Sequence, residues 1–147
     1  MFLVDTDVIS ATAPNRRGGQ DAVLDWLRRQ GASVFLSVIT VAELTRGVEF
    51  LAGMGHSRKA AAFAAWKDGI VEGFGDRILP IDARVAERAG VLLGAAEAHG
   101  HDPGIPDACI AATADLNGLV VVTANARHFR ALRVRFQPLG DVEAGDP

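Results

Sequence analysis

The chain is poor in several things that other classes of protein depend on. It has a single cysteine, Cys109, so no internal disulfide braces it, which fits a reducing cytosol. Its longest apolar runs stop far short of the ~20 residues that a membrane-spanning helix requires. It carries no repeat and no low-complexity tract, which excludes a solenoid and a disordered linker. It also lacks an excess of positive charge. The formal net charge is −3, against the basic footprint usual for nucleic-acid binders. That objection weakens if the acids gather around a cation, because a bound ion changes the local sign. Met1 leads directly into an apolar run, so no signal peptide is expected. With 147 residues, nearly half of them hydrophobic, the chain suffices for one cytoplasmic domain that buries about 70% of its unfolded surface. The expected domain spans residues 1–140, and residues 141–147 form a short, acidic, frayed tail.

What is present alternates. Apolar runs at Phe2–Val4, Val34–Ser37, Ile78–Ile81, Leu119–Val122 and Val134–Phe136 read as strands. Between them apolar residues recur at helical spacing. Val23, Leu24 and Leu27 mark one helix, stopped by Gly31, and Val41 to Leu51 a second. Phe63, Trp66, Ile70 and Phe74 mark a third, read as core or dimer contact. Val85 to Ala96 marks a fourth, capped by Asp82, and Ala108 to Asn117 a fifth, ended by Gly118. Strands separated by helices imply crossover connections, hence an α/β fold with a mostly parallel sheet.

Such a topology collects polar residues at one edge. Ligands of open α/β sheets bind outside the carboxyl ends of the strands, and crossover helices begin at that same edge. Asp5 ends the first strand, Glu43 sits in the first turn of the helix after the second, and Asn125 lies just past the fourth. Asp107 joins them if the loop before it returns there. Each also has a plain structural reading. Asp5 and Asn125 suit helix caps or turns, Asp107 follows Pro106 at a helix start, and Thr40-Val41-Ala42-Glu43 fits a capping box. Their coincidence on one edge favours a site. Two carboxylates about 5 Å apart repel by roughly 3 kcal/mol at an effective dielectric near 20, so three together call for a cation. All-oxygen ligation selects Mg²⁺ or Mn²⁺, and such an ion supports phosphodiester hydrolysis.

Four motifs in order, Asp5-Thr6-Asp7-Val8-Ile9, Val41-Ala42-Glu43-Leu44, Pro106-Asp107-Ala108-Cys109-Ile110-Ala111-Ala112-Thr113-Ala114 and Thr123-Ala124-Asn125-Ala126-Arg127-His128-Phe129, resemble the PIN domain, and more narrowly bacterial toxins of the VapC kind. The resemblance covers essentially the whole chain. It implies five parallel strands between helical layers, Mg²⁺- or Mn²⁺-dependent RNA cleavage leaving a 5′-phosphate, a cognate antitoxin, and a homodimer or larger toxin–antitoxin assembly. Carried over, Asp5, Glu43 and Asp107 are the three acids. Asp5 and Asp107 hold the ion, and Glu43 completes the shell or positions water. The fourth acidic position is Asn125, which removes one charge and weakens any second metal. Thr123 is placed to hydrogen-bond Asp5 or a metal-bound water, and Asp7 has a structural role.

Phosphate contacts are expected first from Arg46, one turn beyond Glu43, and then from Arg127 and Arg16-Arg17. His99 and His101 read as loop residues, since His-x-His without a third ligand makes no metal site. Two rivals stand beside the nuclease. A haloacid-dehalogenase-type phosphatase would use Asp5 as nucleophile and Asp7 as acid/base, but it needs a downstream lysine, and the chain has only Lys59 and Lys67. A non-catalytic dimeric module binding RNA or a partner is the other, and Asn125 is the residue that favours it.

Overall fold

A computed structural model describes residues 1–14 and 20–144. Five strands, β1 (Phe2–Val4), β2 (Val34–Ser37), β3 (Ile78–Leu79), β4 (Val120–Thr123) and β5 (Phe136–Pro138), form one parallel sheet in the order β3-β2-β1-β4-β5. The helices are α1 (Thr6–Ser10), α2 (Gln20–Gln30), α3 (Val38–Gly53), α4 (Ser57–Phe74), α5 (Ala83–Glu97), α6 (Ile105–Leu116), α7 (Ala126–Ala131) and α8 (Leu139–Glu143).

The two-residue period of a strand splits the core into two layers. Leu3 and Val121 face α5, α6 and α7, against Leu92, Ile110 and Phe129. Val4 and Val122 face the opposite layer, against Val8, Val23, Trp26 and Leu44. Both faces of β1 and β4 are thus dry, which is why these strands read as unbroken apolar runs. Phe63, Trp66, Ile70 and Phe74 pack partly buried against the second layer. The helices α3 and α4 approach closely there: a Cβ on Gly47 would lie 3.2 Å from the Phe63 ring.

The chain builds outward from β1 to β2 and β3, then crosses back to place β4 on the other side of β1. The order of strands therefore reverses between β1 and β4, where an open α/β sheet receives ligands. Asp5 and Thr123 stand on either side of that point.

Element boundaries moved where specific groups intervene. Pro80 has no N–H to offer, so β3 ends at Leu79 rather than Ile81. Leu119 donates its N–H to Ala114 in leaving α6, and β4 starts one residue later than expected. Arg133 takes a left-handed φ of 56°, and β5 begins only at Phe136. Ser37, not Thr40, caps α3, accepting from the Ile39 N–H at 3.2 Å. The helix therefore starts at Val38, Glu43 falls in its second turn, and the expected capping box does not form.

Among the described residues, the start of the expected acidic tail continues the fold. Leu139–Glu143 forms α8, and Val142, 1% exposed, packs into the layer that holds Val23 and Trp26. Acids around Val142 disguised a short amphipathic turn. Val142→Ala should cost about 2 kcal/mol of unfolding free energy, as buried truncations do. Urea denaturation measures this, and an unchanged midpoint would mean that α8 is not docked.

Candidate active site

Asp5 is the centre of the polar edge. Its main chain still extends the sheet, its N–H donating to the Val122 carbonyl at 2.9 Å, while its side chain caps α1. One carboxylate oxygen accepts from the Thr6 N–H at 2.7 Å. The other accepts from the Thr123 hydroxyl, also at 2.7 Å, across the point where strand order reverses. Thr123 Oγ1 in turn accepts from the Asn125 N–H at 2.8 Å. The cap reading of Asp5 therefore holds, and the capping side chain lies on the polar edge.

The carboxyl is 5% exposed. Burial, followed by the charge of Asp7 and then that of Asp107, pushes its pKa up to about 7, against the hydrogen bonds from Thr123 and Thr6. Asp7 is raised too, mainly by burial and further by Asp107. Its Oδ2 accepts from the Ala124 N–H at 3.0 Å, which is a structural tie. Its Oδ1, however, is buried with no hydrogen-bond partner. The structural role expected for Asp7 is thus half of the account: the side chain also belongs to the acidic cluster.

Glu43 reaches the edge from α3. The Thr6 hydroxyl donates to its Oε2 at 2.5 Å and lies 3.2 Å from Thr40 Oγ1. Asp107, in the first turn of α6, approaches His128 Nδ1 at 2.6 Å. Asn125 contacts the same ring nitrogen at 2.7 Å. One nitrogen cannot donate to the carboxylate and accept from an amide N–H at once. A proton on Nδ1 serves Asp107, and Asn125 then presents its amide oxygen to it, the amide turned over about its last torsion.

His128 is the member that the sequence reading missed. Its signal was the three-residue spacing from Asn125, which puts both on one face of α7. Arg46 is exposed on α3, three residues beyond Glu43. Arg16 and Arg17 lie outside the described residues. His99 and His101 are exposed at the end of α5 and in the loop that follows.

Among the described residues the acids are not already closed around one point, since Thr6 holds Glu43 and His128 holds Asp107. They nevertheless suit a hard cation. The donors are all oxygen, Asp7 and Asp107 both raise Asp5, Asp107 also raises Asp7, and one buried carboxylate oxygen has no partner. A dry protein interior tolerates such a group when a positive charge is supplied.

A five-stranded parallel sheet between helices, with an acidic cluster at its switch point, defines an α/β protein whose ligand edge is acidic. The chain belongs to the PIN domain family, which it matches over residues 2–134. It is 36% identical over 143 residues to the toxin FitB of Neisseria gonorrhoeae, covering 96% of this chain and 100% of that protein. It is 34% identical over 136 residues to a VapC ribonuclease of Sinorhizobium fredii, with 89% and 91% covered. Among solved structures it resembles a chain of FitAB bound to a DNA fragment, with a TM-score of 0.78, 34% identity and 94% of each chain covered. Family membership leaves the phosphatase reading without support, and Lys67 pairs with Asp68 at 2.6 Å instead.

The raised Asp5 carboxyl makes a stability prediction. Its pKa is about 7 folded and near 3.8 unfolded, so the native state binds the extra proton between those values. Stability without metal should therefore fall as pH rises from about 4 to 7, by on the order of a few kcal/mol. Asp5→Asn, whose amide can donate to Thr123 Oγ1, should flatten that slope and raise the melting temperature in chelator at about pH 8 more than at about pH 5. Equal effects at both pH values, read by thermal melting, would refute the burial of a titrating Asp5.

Proposed function

We propose that this chain is the toxin of a toxin–antitoxin pair, a metal-dependent endoribonuclease that hydrolyses RNA phosphodiester bonds in the cytoplasm. The observation that carries the reading is Asp5, buried at the switch point with two further carboxylates close enough to push its pKa upward. The relatives named as a toxin and as a VapC ribonuclease support the reaction class. The FitAB assembly supports a cognate antitoxin, and a toxin homodimer accompanies that reading.

Asp5 and Asp107 hold Mg²⁺ or Mn²⁺, with Glu43 completing the set. When bound, such an ion supplies Lewis acidity and neutralises charge on a phosphodiester under attack. The chain's own residues do the positioning. Thr123 and the Thr6 N–H fix both oxygens of Asp5. Thr6 fixes one oxygen of Glu43 and leaves the other for water. His128 and Asn125 set the rotamer of Asp107. Asn125 acts through that contact, so the missing fourth charge does not remove the residue from the site. Arg46, exposed one turn beyond Glu43, gives a phosphate contact.

Purified chain should cleave single-stranded RNA with Mg²⁺ or Mn²⁺ and stop when chelator is added. Asp5→Asn should lower the rate by on the order of 10²-fold or more. Cleavage that persists in both conditions, followed on denaturing gels, would disprove the metal-dependent mechanism.

A further inference from the structure

We infer that the substrate RNA leaves the acidic site along a basic groove formed by α7 and the end of α5, rather than over the α3 face alone. The inference rests on the ribonuclease reading and names the part of the surface that grips the strand.

Two cavities lie beside the site. One, of about 250 Å³, is lined by His128, Arg127, His101 and Asp102. The other, of about 330 Å³, is lined by Arg127, His101, His99, Arg130 and Arg133. They share Arg127 and His101, so a single concave path runs from His128, which touches Asp107, to Arg133. Asp102 is the one carboxylate in either lining.

Three features point to an anionic chain as the occupant. First, Arg127 and Arg130 stand three residues apart on α7, which sets these two cations about 5–6 Å apart at Cβ, and Arg133 follows just past the end of the helix. That is of the order of the step between phosphates on a strand. Second, among the described residues none of the three pairs with a carboxylate: Arg127 lies 3.4 Å from His128 Nε2 and Arg130 lies over the Phe136 ring. A chain with net charge −3 has acids to spare for neutralising them, yet this concavity keeps its positive field. Third, Arg133 is the only non-glycine among the described residues with a positive φ, at 56°. Glycine would adopt that conformation without strain, so the cost is borne for the side chain that lines the cavity. His99 Nδ1 is engaged by the Ala95 carbonyl at 2.8 Å, which leaves Nε2 as the ring's free nitrogen.

Fluorescence anisotropy of a labelled single-stranded RNA, titrated with the full chain in chelator over a range of salt, tests this without turnover. Arg127→Gln/Arg130→Gln/Arg133→Gln should weaken binding at least tenfold. It should also reduce the slope of log affinity against log salt by about 2, at roughly 0.7 per lost phosphate contact. Arg133→Gly, which relaxes the backbone, should weaken binding while keeping or raising the melting temperature. Removing Arg58, Lys59 and Arg84 together is the charge-matched control and should leave the slope nearly intact. If wild type binds and cleaves RNA but the groove variants match it in affinity and slope, the groove is refuted and the ribonuclease stands. If wild type neither binds nor cleaves any RNA, the ribonuclease reading falls and the groove with it. Loss of poly-glutamate binding with RNA binding intact would assign the groove to an acidic protein and overturn the inference.

Discussion

The hydrogen bond from Thr123 to Asp5 is the contact on which the rest of the site depends. It spans β4 and β1 where strand order reverses, and it holds a carboxylate that burial and two neighbouring acids work to neutralise. A group in that position is costly to ionise, and only a closely packed frame keeps it from swinging out to water. The frame is apolar and double-sided: Val4 and Val122 below, Leu3 and Val121 above, all fully buried. The polar edge and the core are therefore one construction. The dryness that makes β1 and β4 the centre of the sheet also makes Asp5 costly to ionise.

Around Asp5 the remaining carboxylates are each held by a different partner. Thr6 takes Glu43, His128 takes Asp107, and the Ala124 N–H takes one oxygen of Asp7. Neutral or positive donors thus stand in front of negative charge, and the leftover deficit sits on the unpartnered Asp7 oxygen. This arrangement is preorganised without being closed. Next to it lies a concavity lined by arginines, so a chain of nearly balanced composition separates its charges in space.

Much of this was legible in the residues. Asp5 was marked by the apolar run before it, Asp107 by Pro106, and Asn125 by the strand that precedes it. Parallel topology then put them on one edge. What stayed hidden depended on three-dimensional returns of the chain. His128 meets Asp107 because α6, β4 and α7 fold back on one another, a closeness that a 21-residue separation does not advertise. The start of α3 turned on a choice between Ser37 and Thr40, two equally good caps in sequence, which only the strand before them decides. The orphaned oxygen of Asp7 and the docking of Val142 are outcomes of packing, and for Val142 composition pointed the other way.

The strand order has a consequence in time. Asp5 is made before the hydroxyl that fixes it, which follows 118 positions later. Until β4 emerges, β1 has β2 beside it but an open edge on its other side, and Asp5 lacks the Thr123 hydroxyl. Chains fold from the amino terminus as they are made, and contacts this distant in sequence form late. A partly made chain therefore has a sheet without a site. The polar edge comes into being only once β4 joins β1, after the strands and helices that precede it in the chain are already made.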